Sequence, residues 1–93
     1  MSEVGLSRRA VKDLDALAPK IADRVLRVIE DLGADPNFHA HDVKALVGRR
    51  PWRRLRVGNH RVLFRLSQGG VVLLVGRIVD RKDLERAVRT LPD

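Results

Sequence analysis

The spacing of apolar positions changes along the chain, and each change marks an element. Glu3–Leu6 is long enough only for an opening strand. Ser7 is a good N-cap, and Ala10, Leu14 and Leu17 follow at helical spacing with Val11 beside them. Pro19 either ends that helix or starts the next, where proline suits the first turn. Ile21, Val25, Val28 and Leu32 then recur at helical intervals, with Ala22, Leu26 and Ile29 widening the stripe. This predicts an amphipathic helix that Gly33 is placed to end. Together the two segments read as a helical hairpin. Residues 34–48 read as a loop, with Asp35-Pro36 as its turn signal.

From Trp52 the period falls to two. Trp52–Leu66 reads WRRLRVGNHRVLFRL, two alternating runs around Gly58-Asn59, which predicts a tight hairpin. With those two residues as the turn, Val57 faces His60, Arg56 faces Arg61, Arg54 faces Leu63 and Trp52 faces Arg65. Paired and alternate residues share a face. One face then carries Trp52, Arg54, Arg56, Arg61, Leu63 and Arg65. The other carries Arg53, Leu55, Val57, His60, Val62, Phe64 and Leu66, and must seek a core. After Gln68-Gly69-Gly70, the run Val71–Val79 is apolar on both faces and reads as a central strand. Gly76 inside it marks a bulge or a close approach to the backbone. Asp80 is placed to cap a last helix built on Leu84, Val88 and Leu91. The expected order is β-α-α-β-β-β-α, an α+β fold. It has a small antiparallel sheet with the helical hairpin on one face and a basic face left open, in a single domain over 1–93.

Composition narrows this picture. The 93 residues allow one modest core, and 44% hydrophobic content is enough to fold it. Without cysteine there is neither a disulfide frame nor thiolate chemistry. No apolar run reaches membrane-spanning length and no signal-peptide pattern precedes the fold, so a cytoplasmic protein without membrane contact is expected. The net charge of +7 is unevenly spread. Residues 1–42 carry a net −2, residues 43–79 a net +9 without one acid, and residues 80–93 none. Such a block attracts polyanions, nucleic acid first among them. His39-Ala40-His41-Asp42 offers too few ligands for zinc, and no metal or cofactor is expected.

Directly opposed like charges destabilise a sheet, so Arg56 against Arg61 points to an anion that the pair receives. Guanidinium matches phosphate oxygens bidentately and stays charged. RNA supplies its own nucleophile in the 2′-hydroxyl. A protein that cuts RNA must therefore hold the phosphate, take one proton and help the 5′-oxygen leave. Arg54, Arg56, Arg61 and Arg81 are candidates for the charge. With no tyrosine in the chain, His60, Asp80, Asp83 and Glu85 are the titratable candidates for the base. Trp52 is placed either to stack a base or to be covered by the basic loop or the last helix, and Arg49, Arg50, Arg53 and Arg65 to meet RNA phosphates.

The segment RRLRVGNHRVLFRL, followed by VVLLVGRIVDRKDLE, resembles the RelE/ParE toxin superfamily of bacterial type II toxin–antitoxin pairs. Ala10-Val11-Lys12-Asp13-Leu14 and Leu32-Gly33-Ala34-Asp35-Pro36 fit the upstream pattern, so the resemblance spans nearly the whole chain. In the RelE branch it implies metal-independent cleavage of mRNA in the ribosomal A site. Arg54 and Arg56 match the basic pair of the first hairpin strand, Arg61 the arginine after the turn and Arg81 the arginine after the last strand. Asp80 stands where histidine is usual and Glu85 where a final tyrosine is usual, which makes Glu85 either the candidate base or a structural partner of Arg81 or Arg89. The alternatives are a ParE-like gyrase inhibitor on the same fold and an RNA-binding toxin homologue without catalysis. All three imply an acidic, partly disordered antitoxin that shields the basic face, in a toxin–antitoxin hetero-oligomer. The nuclease reading adds the ribosome and mRNA as partners.

Overall fold

The computed structural model describes residues 2–35, 38 and 40–92. The strand β1 (Glu3–Leu6) leads into helices α1 (Arg8–Asp15) and α2 (Pro19–Ala34). Strands β2 (Val43–Ala45), β3 (Arg53–Val57), β4 (His60–Ser67) and β5 (Val72–Asp80) follow, and α3 (Leu84–Val88) comes last. The sheet order is β1-β5-β4-β3-β2. The expected antiparallel sheet is thus mixed, because β1 pairs parallel to β5 and the other neighbours are antiparallel. The chain from β1 to β5 runs through the α1–α2 hairpin and then β2, β3 and β4, a long connection of the kind that parallel pairing requires. The segment read as a loop also holds a strand, β2, which lengthens the sheet beyond β3.

Local chemistry sets the helix ends. Ser7 Oγ accepts from Ala10 N–H at 3.1 Å and caps α1, while donating to Gly76 O at 2.7 Å. Pro19 starts α2 rather than ending α1. Gly33 lies inside the last turn of α2 instead of beyond it, with its own reason to be glycine. A Cβ there would meet the Val4 side chain at 2.9 Å. Pro36 and its part in the predicted turn fall outside the described residues, as does His39 of the metal motif.

The hairpin register is the expected one, with Arg56 opposite Arg61 and Val57 opposite His60 around Gly58-Asn59. The apolar face does seek a core. Leu55, Val57, Val62, Phe64, Leu73, Val75 and Ile78 bury against Ala10, Leu14, Val25, Ile29 and Leu32 of the helical hairpin. Between β4 and β5 the register shifts at Leu63/Phe64, leaving Gly76 as the extra residue of a bulge. A Cβ on Gly76 would sit 2.7 Å from two Trp52 ring atoms, so both readings of that glycine hold.

The second face departs from expectation. It is open at one end only. Trp52, Leu63 and Val79 are buried there with Ala87 and Leu91 of the C-terminal segment, and Leu46, Leu84 and Val88 complete this smaller core. Three side chains fasten the segment. Trp52 Nε1 donates to Pro92 O at 3.0 Å, Arg49 Nη2 donates to Leu91 O, and Arg77 Nη1 donates to Thr90 Oγ1 at 3.0 Å.

Candidate anion site on the basic sheet face

Across the sheet, the open end of this face is built in rows. Lys44, Arg54, Leu63 and Arg77 align on β2, β3, β4 and β5. The next row joins Arg56, Arg61 and Val79, with Asp42 at the β2 end, where its carbonyl accepts from Arg56 N–H at 3.0 Å. Arg81 enters from the turn after β5. Its N–H donates to Asn59 O at 2.8 Å, tying it to the β3–β4 turn. Asp80 is the reason that turn forms, since its Oδ1 accepts from Lys82 N–H at 3.0 Å.

Arg61 is the centre of the group. Its guanidinium is held below the ordinary arginine value, by burial first and then by Arg56, Arg54 and Arg81, while Asp42 pulls the other way. The four arginines predicted as a group therefore lie within electrostatic reach of one another. Arg61 Nη1 donates at 3.0 Å to both Gly58 O and His60 O, which fixes the direction of its planar fork. Arg54 is mostly covered and Arg56 mostly exposed, so they give the site a floor and a rim. Arg54 Nη1 is buried without a hydrogen-bond partner among the described residues. A buried donor in that state has much to gain from an acceptor oxygen.

The predicted RNA contacts separate from this group. Trp52 is 2% exposed, so the expectation that it stacks a base is corrected. Its ring fills the space over the Gly76 bulge. Arg65 lies half-buried, 5.9 Å from the Trp52 ring centroid, and supports that ring. Arg49 is half-buried against the C-terminal segment, which corrects its reading as an outward phosphate contact. Arg53 is exposed on the helix-bearing face, 5.8 Å from the Phe38 ring centroid, away from the arginine group. Arg50 is exposed in the loop before β3.

The titratable candidates divide in the same way. Glu85 is exposed in the first turn of α3 and forms no ion pair with Arg81 or Arg89. Asp80 spends one oxygen on the turn it caps. His60 lies on the other face, in line with Val57 and Asp80. Asp83 lines a cleft of about 340 Å³ between α1 and α3, with Asp13, Arg77 and Arg86. Lys44 was not singled out in the sequence and Asp42 was weighed only as part of a metal motif, because the strand that aligns them was read as loop.

Three comparisons bear on this site. The family model for the ParE toxin of type II toxin–antitoxin systems matches residues 4–85. Among solved structures, the RelB–RelE complex of Methanococcus jannaschii aligns at 24% identity and TM-score 0.72, covering 88% of this chain and 95% of that one. The RelBE2 complex of Mycobacterium tuberculosis aligns at 26% identity and TM-score 0.70, over 86% and 98%. A mutant E. coli RelE toxin in the free state aligns at 17% identity and TM-score 0.72, over 97% and 98%. No curated protein sequence matches significantly. The chain belongs to the ParE toxin family of type II toxin–antitoxin systems, within the RelE/ParE superfamily.

Proposed function

We propose that the protein is an endoribonuclease toxin that cuts mRNA on the ribosome and so stops translation. The observation that carries this reading is the placement of the arginines, with Arg56 directly opposite Arg61, Arg54 on the same face of β3 and Arg81 tied to the β3–β4 turn. Four guanidiniums around one point suit a phosphodiester whose negative charge grows as bonds change. In the proposed reaction the 2′-oxygen attacks the neighbouring phosphorus, the bond from phosphorus to the 5′-oxygen breaks, and a cyclic phosphate forms. Glu85 takes the 2′-hydroxyl proton, and solvent supplies the proton that the departing 5′-oxygen needs. The arginines stabilise the phosphorane that lies between. A cognate antitoxin is the regulatory partner, in keeping with the antitoxin–toxin complexes among the similar structures.

Primer extension on translating ribosomes tests this. Codon-positioned cuts should appear with the wild type and fall at least 100-fold in Arg61→Ala, since one lost charge-stabilising group costs about that much. Intact mRNA with a folded wild-type protein removes the nuclease reading. A second reading, a gyrase inhibitor, is favoured by the family model being that of ParE and by Glu85 standing where a tyrosine is usual. Trapped gyrase–DNA breaks alongside intact mRNA would establish it.

A further inference from the structure

Among the described residues, Asp42 is the carboxylate set against the arginine group. Its Oδ1 lies 3.7 Å from Arg54 Nη1 and its Oδ2 lies 4.0 Å from Arg56 Nη1. The main chain delivers it there. Asp42 O accepts from Arg56 N–H at 3.0 Å, so the residue extends the β2–β3 ladder and turns its side chain to the arginine face. One oxygen toward each guanidinium is the arrangement a phosphate's two oxygens would take.

The distances carry the argument. Charge-assisted hydrogen bonds run at about 2.7–2.9 Å. Asp42 stands an ångström further off, near enough to attract both cations and too far to satisfy either. Arg54 Nη1, the very atom that faces it, is buried and has no hydrogen-bond partner among the described residues. Asp42 is half-exposed, so its side chain has room to turn away. It also opposes the crowding of Arg61 by the other arginines.

We propose that Asp42 is a positioning residue of the anion site. It holds Arg54 and Arg56 convergent before substrate arrives and yields to the phosphate when it does. The inference rests on the nuclease reading for its kinetic part alone. Removing the carboxylate should have two opposite effects. The site gains net positive charge and binds RNA more tightly, while the two guanidiniums repel one another and the reaction slows.

The test is Asp42→Asn in the full chain. Binding is measured with an oligoribonucleotide methylated at every 2′-oxygen, which cannot react. It should tighten severalfold at low salt, with a log–log salt slope steeper by about 0.7, the increment for one more neutralised phosphate. Cleavage on the ribosome should show KM unchanged or lowered and kcat reduced at least tenfold, with the melting midpoint lowered by no more than a few degrees, the scale of one lost attraction between partly exposed charges. A kcat that holds or rises would overturn the positioning role, leaving Asp42 a brake on binding. Loss of stability in step with kcat would overturn it as well, in favour of a folding role. A wild type that cuts no RNA would end the nuclease reading and leave another readout of Asp42. In nitrogen-15 spectra, the Nε–H signals of Arg54 and Arg56 should weaken by solvent exchange in the variant while that of Arg77 stays. Unchanged Arg54 and Arg56 signals would overturn the inference, whatever the cleavage result.

Discussion

Arg61 shows how a single side chain can be kept for its charge against the interests of the fold. A base whose folded-state pKa is lowered pays a cost at every pH below that value. For arginine this covers the whole accessible range, so neither acid nor mild alkali relieves it. An anion does, and so does removal of a neighbour. Arg56 is the neighbour to remove, because it sits directly opposite Arg61 and is mostly exposed. Opposed like charges cost about 0.2–1 kcal/mol. In a domain of this size Arg56→Gln should raise the melting midpoint by about 1–8 °C at low salt. The gain should shrink as inorganic phosphate is added, because phosphate stabilises the wild type more. A midpoint that falls on substitution, with phosphate acting equally on both proteins, would show that the arginines do not burden one another. At this scale the sequence was informative where period two decides the face, as for Arg54, Arg56 and Arg61. It could not decide whether Trp52 stacks a base or is covered by the protein's own chain. Whether that ring meets solvent or core depends on Leu91 and Pro92 folding back across forty residues of chain.

At the scale of elements, β5 poses a problem of pairing. β1 pairs with β5 only from Val72 to Val75, so among the described residues the rest of β5 on that side has no strand beside it. Asp13 of α1 takes the place of the missing strand. Its Oδ2 accepts from Ile78 N–H at 2.9 Å and from Arg77 Nε at 2.9 Å, and Oδ1 accepts from Arg77 Nη2 at 3.3 Å. Arg77 then reaches on to Thr90 beyond α3. One carboxylate thus joins the first helix, the central strand and the C-terminal segment that covers half of the basic face. Losing it leaves a part-buried donor unmet, at about 1–3 kcal/mol. Asp13→Ala should lower the denaturant midpoint accordingly with the m-value kept, and Asp13→Asn should recover part of the loss. An Asp13→Ala protein as stable as the wild type would show that water replaces the carboxylate. None of this was legible beforehand, since Asp13 lies in a polar helix stripe and Arg77 in an apolar run. Their 64-residue separation has no local signature. The short β2 was equally hidden, being three residues long and defined by its partner β3 rather than by any period of its own.

For the whole molecule, where the charge sits matters more than its sum. The net +9 of residues 43–79 looks in sequence like one basic surface. The fold divides it. Arg54, Arg56 and Arg61 meet Arg81 at one end of one sheet face, Arg53 goes to the other face, and Arg49 and Arg77 hold the C-terminal segment. The expected open basic face is therefore a patch beside a small apolar core. That division gives the binding of single-stranded RNA a definite salt dependence. Each neutralised phosphate adds about −0.7 to the slope of log affinity against log salt. If the four grouped arginines meet the strand, the slope should lie near roughly −3 on the same increment. Arg81→Ala should flatten it by about 0.7, whereas Arg53→Ala should leave it unchanged although both remove one charge. A total-charge mechanism predicts the same small change from either substitution. Fluorescence titrations of one labelled oligoribonucleotide at four salt concentrations separate the two. Equal slopes for Arg81→Ala and Arg53→Ala would mean that RNA reads the protein's sum of charge and ignores the rows across its sheet.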